Sequence, residues 1–445
     1  MRRLPPLLLL GLSGCATYHA MPLKDAPAAL TAPVPEALSE AASSIHRPWL
    51  APVTVDLSQP LTPDGLAAIA VVNNPDLVAQ RAQAGVSDAQ VFAAGLLPDP
   101  TFSFGANKVI TGPDPFLDLS SALGLDINAL RTRAVSRRIA TANAEKVRLD
   151  LAWAEWQTAG QAQLQAVKIL SLTHIVDLAK ASENITRSLL DRISRAVGRG
   201  DISGDRLQAA RIALLTASEQ LRTSQTDLAA AEADLRKQLG LPPGYPLQLA
   251  QPPVPAPPPS TEALFRLAEA NRTDLAALRA GYASQEASVR KAIIEQFPTL
   301  NLNLNGARDS AGNLLLGPSV DFTLPLWNRN RGNIAIERAT RTALKAEYDA
   351  RLFQTRAEID AAEAGLRVAY QRRADSLEQL PRLERYARAT RKAAERGDLS
   401  LEAAQNAQQA LRDRELVLAQ ASQAIAEQSI ALELLTGTPR EAWPQ

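Results

Sequence analysis

Arg199-Gly200-Asp201-Ile202-Ser203 recurs as Arg396-Gly397-Asp398-Leu399-Ser400, 197 residues further on (397 − 200 = 197). Each copy has the chemistry of a tight turn between two helices. The glycine can take the left-handed conformation that ends a helix, and Ser203 and Ser400 are suitable caps for the helix that follows. Other landmarks keep the same offset. Asn74, before Pro75-Asp76-Leu77, corresponds to Asn271, before Arg272-Thr273-Asp274-Leu275 (271 − 74 = 197). Gly240-Leu241-Pro242 corresponds to Gly437-Thr438-Pro439 (437 − 240 = 197). A constant offset of this size is too long for a solenoid unit and marks a duplicated half-protein. Arg-Gly-Asp is also a cell-adhesion triplet, but its appearance at two matching turns already has a structural reason.

On the C-terminal side of each turn lies a heptad pattern. Leu207, Leu214, Leu221, Leu228 and Leu235 fall every seven residues, and Ala404, Leu411, Leu418, Ile425 and Leu432 repeat them at the same offset. Sustained heptads imply coiled-coil packing. Small residues three positions later, Ala210, Ala217, Ser224 and Ala231, allow close helix approach. On the N-terminal side, 130–197 and 332–395 read as very long helices, each on the order of 100 Å. Pro381 is expected to interrupt the second of these.

Before each long helix the period changes. Thr101-Phe102-Ser103-Phe104, Phe116-Leu117-Asp118-Leu119, Thr299-Leu300-Asn301-Leu302-Asn303-Leu304 and Val320-Asp321-Phe322-Thr323-Leu324 alternate polar and apolar residues, the mark of strands with one apolar face. Thr111-Gly112-Pro113-Asp114 and Asp309-Ser310-Ala311-Gly312-Asn313 join them with turn chemistry. Each half therefore supplies one hairpin, and the chain about four strands. Four strands leave two open edges, untenable in lipid, whereas useful closed barrels need about eight strands or more. Pooling strands between identical copies would close one. Each half opens with a single helix, 62–97 or 260–296, capped by Thr62 or Ser260 and ending at Pro98 or Pro298.

The organisation expected is a signal peptide 1–14, an N-terminal strap 15–60, a first repeat 61–241, a Pro-rich linker 242–259, a second repeat 260–439 and a tail 440–445. The strap is Pro-rich and aperiodic and reads as extended. The only cysteine, Cys15, follows a basic start and a short apolar stretch and ends Leu12-Ser13-Gly14-Cys15. That segment is too short to span a bilayer, which takes about 20 residues, and reads as a secretory signal. Its end resembles the bacterial lipobox, which implies a lipid (palmitate among the acyl chains) on Cys15. Ala16 in the next position implies sorting to the outer membrane. Within one chain a disulfide is excluded.

Charge is balanced, Lys+Arg 48 against Asp+Glu 47, which gives no reason to expect nucleic acid. Aromatic residues make up only 4% of a chain that is 46% hydrophobic, which favours long alanine- and leucine-rich helices over an aromatic-filled core. His19 and His46 lie in the strap and His174 is alone on a helix. No zinc spacing, phosphate loop or serine elbow occurs. Met21 is the only methionine after the initiator, so no soft-metal ladder exists. Carboxylates such as Glu358 and Asp360 read as solvated or facing a lumen. No catalytic residue, metal site or cofactor is expected beyond the covalent lipid.

Hairpin, long helix, turn and heptad return helix, all twice and behind a lipobox, resemble the TolC family of outer-membrane efflux ducts across nearly the whole mature chain. The most specific segment is Phe322-Thr323-Leu324-Pro325-Leu326-Trp327-Asn328-Arg329-Asn330-Arg331-Gly332-Asn333-Ile334-Ala335. It resembles the segment that leaves the second hairpin, especially in the branch serving heavy-metal cation pumps. The corresponding Leu125-Asp126-Ile127-Asn128-Ala129-Leu130-Arg131 lacks its proline and glycine. The resemblance implies a mainly α fold with a small β part, in which three copies form a twelve-stranded transmembrane β-barrel and a periplasmic α-barrel. It implies a homotrimer anchored in outer-membrane lipid that works with a periplasmic adaptor protein and an inner-membrane pump. Arg199, Gly200, Asp201, Ile202 and Ser203, with Arg396, Gly397, Asp398, Leu399 and Ser400, would be the tips that meet the adaptor. Two other functions share these features: the exit duct of a type I protein secretion system, and a coiled-coil periplasmic lipoprotein without a pore.

Overall fold

The computed structural model describes residues 18–23, 31, 33–108, 110–111, 117–252, 255–308 and 312–444. Cys15 and the signal segment lie outside the described residues, as do Gly112, Pro113 and Asp114 of the first hairpin tip and 309–311 of the second. Nine helices and four strands follow one another among the described residues. They are α1 Pro35–Ser43, α2 Pro63–Asn73, α3 Pro75–Gly95, β1 Thr101–Lys108, β2 Leu117–Asp126, α4 Ile127–Gly198, α5 Gly204–Gln238, α6 Thr261–Asn271, α7 Thr273–Ile294, β3 Leu300–Arg308, β4 Leu314–Phe322, α8 Arg331–Glu395 and α9 Leu401–Thr436.

The long helices are as long as their periodicity implies. α4 has 72 residues and α8 has 65, about 100 Å each. α5 packs back along α4, and α9 along α8. The heptad leucines of α5 and the small residues between them are buried or half-buried, with Ala210, Ser224, Ala231 and Leu235 fully inside. Ala404, Ile425 and Leu432 are buried in α9.

Four expectations are corrected. Pro381 does not interrupt the second long helix; α8 runs through it to Glu395. The ring removes one backbone hydrogen bond, but Pro381 is on an exposed face where the freed carbonyl can be solvated, and packing against α9 holds the helix on either side. The opening helix of each half is two helices, because Asn74 and Arg272 are extended (ψ 123 and 116) between them. Pro75 enforces the first break. At the second, Arg272 is buried and forks onto Asp274 at 2.9 and 2.7 Å. Ser203 occupies the N-cap position of α5 but accepts no backbone N–H, since its hydroxyl is engaged with Asp205. Ser400 does cap α9, accepting from Ala403 at 3.1 Å. Finally, the strap is not wholly extended: Glu36 to Ala42, rich in helix formers, fold as α1 behind Pro35.

Two small cores thicken the molecule halfway along its length. In the first, Leu38, Ala42, Ile45, Leu50 and Val55 of the strap join α2, the middle of α4 and the end of α5. In the second, Leu264 and Ala268 of α6 meet Ile359, Leu366, Ile425, Leu432 and Trp443. Glycines close both halves alike. Gly240 (φ 65) and Gly437 (φ 71) end the return helices in the left-handed region, each against the break between the paired short helices. The Asn73 side chain donates to the carbonyls of Leu239 and Gly240 at 2.8 and 3.0 Å.

Candidate functional site

The four strands form one antiparallel sheet in the order β1-β2-β3-β4. The hairpins of the two halves thus pair directly through β2 and β3, with Leu123 opposite Leu304 and Leu125 opposite Leu302. β2 extends past the predicted stretch to Asp126, and β4 begins earlier, at Leu314. The register sorts side chains by face. Phe102, Leu123, Leu304 and Pro318 stand in one row across the sheet; Leu125, Leu302 and Val320 stand in the next. The opposite face carries Thr101, Asn303, Ser319, Asn305 and Asp321, where Asn303 donates to Asp321 and Asn305 to Ser319, both at 2.7 Å.

Among the described residues nothing covers the apolar face. Phe102 is 71% exposed, Phe322 57%, Val320 54% and Leu316 77%. A soluble sheet would hide such a face against helices. Strands of 8, 10, 9 and 9 residues match the roughly 9–11 that a tilted transmembrane strand needs. An apolar outer face and a polar inner one are what a barrel wall in lipid requires. Among the described strands, β1 and β4 each have one partner, so one edge of each is free. No described helix is long and apolar enough to cross a membrane.

At the far end of the long helices sit the two repeated turns, built alike. The Gly200 and Asp201 amides donate to Val197 and Ala196 at 2.9 Å each, and the Gly397 and Asp398 amides to Ala394 and Ala393 at 3.1 and 2.8 Å. Both are complete Schellman turns, made possible by φ values of 79 and 82 at the glycines. Arg199 folds across its turn onto Asp201 at 2.8 Å, and Arg396 onto Asp398 at 3.0 Å. Ile202 and Leu399 are left exposed. The structure brings the two turns together: Arg206, in the first turn of α5, forms an ion pair with Glu402, in the first turn of α9. Sequence reading missed that pair, whose only visible signal is an acidic residue early in both return helices, Asp205 and Glu402.

Sequence reading also missed a clamp at mid-height. Glu155 of α4 is 2% exposed and accepts from Arg47 of the strap at 2.5 and 2.9 Å and from Arg81 of α3 at 2.7 and 3.1 Å. Burial alone would push its carboxyl up, but the hydrogen bonds and charges of the two arginines outweigh that and hold it below the ordinary range. Trp49 and Trp156 meet edge to face beside it, with centroids 5.0 Å apart. Among the described residues no cluster of His, Cys, Asp and Glu could hold a metal ion.

The sequence profile of the outer membrane efflux protein family matches residues 264–438. Similar folds occur in CusC (15% identity, 85% of this chain and 92% of that one, TM-score 0.68), whose structures concern folding and transmembrane channel formation. They also occur in the outer membrane protein VceC of Vibrio cholerae (14%, 84% and 96%, TM-score 0.69). The Campylobacter jejuni outer membrane channel CmeC is similar as well (14%, 95% and 95%, TM-score 0.69). Comparison with curated protein sequences gives no match.

Proposed function

Because residues 264–438 match the sequence profile of the outer membrane efflux protein family and most of the chain shares its fold with outer-membrane channels, we propose that this protein is the outer-membrane duct of a tripartite efflux system. Family and fold are those of passive channels rather than enzymes. Three copies pool four strands each into a twelve-stranded barrel, and their coiled-coil hairpins line a water-filled passage through the periplasm. The turns at Arg199–Ser203 and Arg396–Ser400 meet a periplasmic adaptor, which couples the duct to an inner-membrane pump. Cys15 carries the lipid anchor. The cargo is small solutes, with heavy-metal cations favoured by the segment from Phe322 to Ala335.

The observation that carries this reading is the sheet: an uncovered apolar face, a hydrogen-bonded polar face and two free edges in one chain. Backbone at a free edge cannot remain unpaired in lipid, and four strands cannot close on themselves. The deciding experiment is the native mass of the detergent-extracted protein, followed by conductance in a planar bilayer. Three chains per particle and discrete conductance steps are expected. A monomer without conductance would leave a periplasmic coiled-coil lipoprotein as the better account.

A further inference from the structure

The two halves do not fill the space where they meet. Between α4 of the first and α9 of the second lies a cavity of about 340 Å³, bordered also by α2, the strap, the Pro-rich linker and the C-terminal residues. Its walls are mostly apolar, with Trp49, Trp156, Ile430 and Leu434 among them. Its charged groups are unbalanced. Asp64 of α2, Glu433 of α9 and Glu441 of the C-terminal turn contribute three carboxylates, and Arg440 the single cation. Arg440 reaches Glu433 at 3.4 Å, while the element facing them, α4, offers only the neutral Gln163.

We propose that this cleft between the halves is a binding site for an organic cation: an ammonium or guanidinium head on an aromatic or short alkyl body. The carboxylates would face the head, and the tryptophan-lined wall would take the body. Three carboxylates repel an anion. A bare metal ion is the wrong shape, because the carboxylates are spread around an apolar space and form no metal-holding cluster among the described residues. A cation with an apolar body satisfies both, since aromatic walls and unneutralised carboxylates favour it together. The electrostatics agree with an unfilled demand for positive charge. Burial, reinforced by Glu441 and Asp64 and only partly offset by Arg440, pushes Glu433 up to about 7. Burial and Glu441 likewise push Asp64 upward. An occupant would touch both halves and the strap at once, so it would bind where the repeats are joined, remote from the strands and the turns. This inference does not depend on the cargo or partners of the duct.

The test is titration of the full detergent-solubilised protein with benzyltrimethylammonium, followed by tryptophan fluorescence and calorimetry at constant ionic strength, with benzyl alcohol as the uncharged control. One saturable site per chain is expected at pH 8. Affinity should fall about tenfold at pH 6, in Glu433→Gln and in Asp64→Asn, and benzyl alcohol should bind at least about tenfold more weakly. Far-UV circular dichroism of both variants, which alter different helices, separates lost binding from lost folding. No saturable binding up to about 10 mM, equal affinity for benzyl alcohol, or undiminished binding by both folded variants would overturn the proposal.

Discussion

Replacing Gly240 by alanine should destabilise the first repeat far more than the same change at Gly200, although both glycines occupy the left-handed region (φ 65 and 79). The conformational cost is common to both, about 1–2 kcal/mol for a residue carrying a Cβ. The surroundings differ. At Gly200 an added Cβ meets nothing within 4 Å; at Gly240 it would stand 2.3 Å from the Asn73 carbonyl oxygen and 2.9 Å from the Asn73 amide nitrogen. That oxygen belongs to the backbone at the end of α2, so relief requires the helix to move. The amide also holds the carbonyls of Leu239 and Gly240. Overpacking of this kind costs about 1–3 kcal/mol, and each strained hydrogen bond about 1 kcal/mol more. Gly240→Ala should therefore cost about 4–7 kcal/mol in all, against about 1–2 kcal/mol for Gly200→Ala. The assay is thermal loss of helix signal in detergent, with both variants and the parent run at one scan rate. A fall in midpoint at least twice as large for Gly240→Ala is expected. Equal falls would refute the packing argument and leave only backbone conformation.

Glu155→Ala should cost about 3 kcal/mol, the low end for a broken buried ion pair, because Arg47 and Arg81 are each about one-third exposed (34% and 31%) and can turn to water. Limited chymotrypsin digestion should then cut the strap after Trp49, which packs on Trp156 beside the clamp, in Glu155→Ala but leave it protected in Arg81→Ala. Gly160→Ala would place a Cβ 2.3 Å from Leu434, prising α4 from α9, whereas Gly365→Ala meets only Gln428 at 3.5 Å. The first should destabilise by about 1–3 kcal/mol and the second should stabilise by about 0.5–1 kcal/mol, the advantage of alanine over glycine inside a helix, as read from denaturant midpoints. Glu433 gives a pH dependence. The folded chain keeps its proton up to about 7, whereas an unfolded chain releases it near the usual carboxylate value of about 4.3. The stability it contributes is thus full below that value and lost as pH rises through 7, a change on the order of 3 kcal/mol. Unfolding midpoints should fall between pH 5 and 8 in the parent and stay flatter in Glu433→Gln; an identical slope in the two would locate the effect elsewhere.

How much of this was legible in the sequence depended on whether the controlling interaction was local. The heptads of α5 and α9, the alternating strands and the two Schellman turns were visible because period, chirality and a left-handed glycine act over a few residues. The apolar face of the sheet followed from alternation alone. What escaped rests on distant partners. The break at Arg272 carries no proline and is held by a buried fork onto Asp274. Helix α8 passes Pro381 because packing with α9 outweighs a local penalty. Arg47, Glu155 and Arg81 meet across 108 and 74 residues of chain, a separation that no motif records. The cavity between the halves was equally hidden, since its walls come from parts of the chain that lie far apart in sequence.

The two routes from sheet to long helix give the duplicated halves different mechanics. In the first half β2 ends at Asp126 and α4 begins at Ile127, with Asp126 itself accepting from the Ala129 amide at 3.0 Å. In the second, residues 323–330 intervene between β4 and α8, ending in two left-handed residues, Arg329 (φ 46) and Asn330 (φ 54). The first junction is a stiff mount and the second a compliant one. A sideways load applied at the distant turns has a lever arm of about 100 Å. Through α4 it reaches β2 undamped, while through α8 the intervening loop can absorb it by rotating a few backbone bonds. Movement of the helical hairpins relative to a fixed sheet would thus be led by the second half, with the first serving as the post against which it turns.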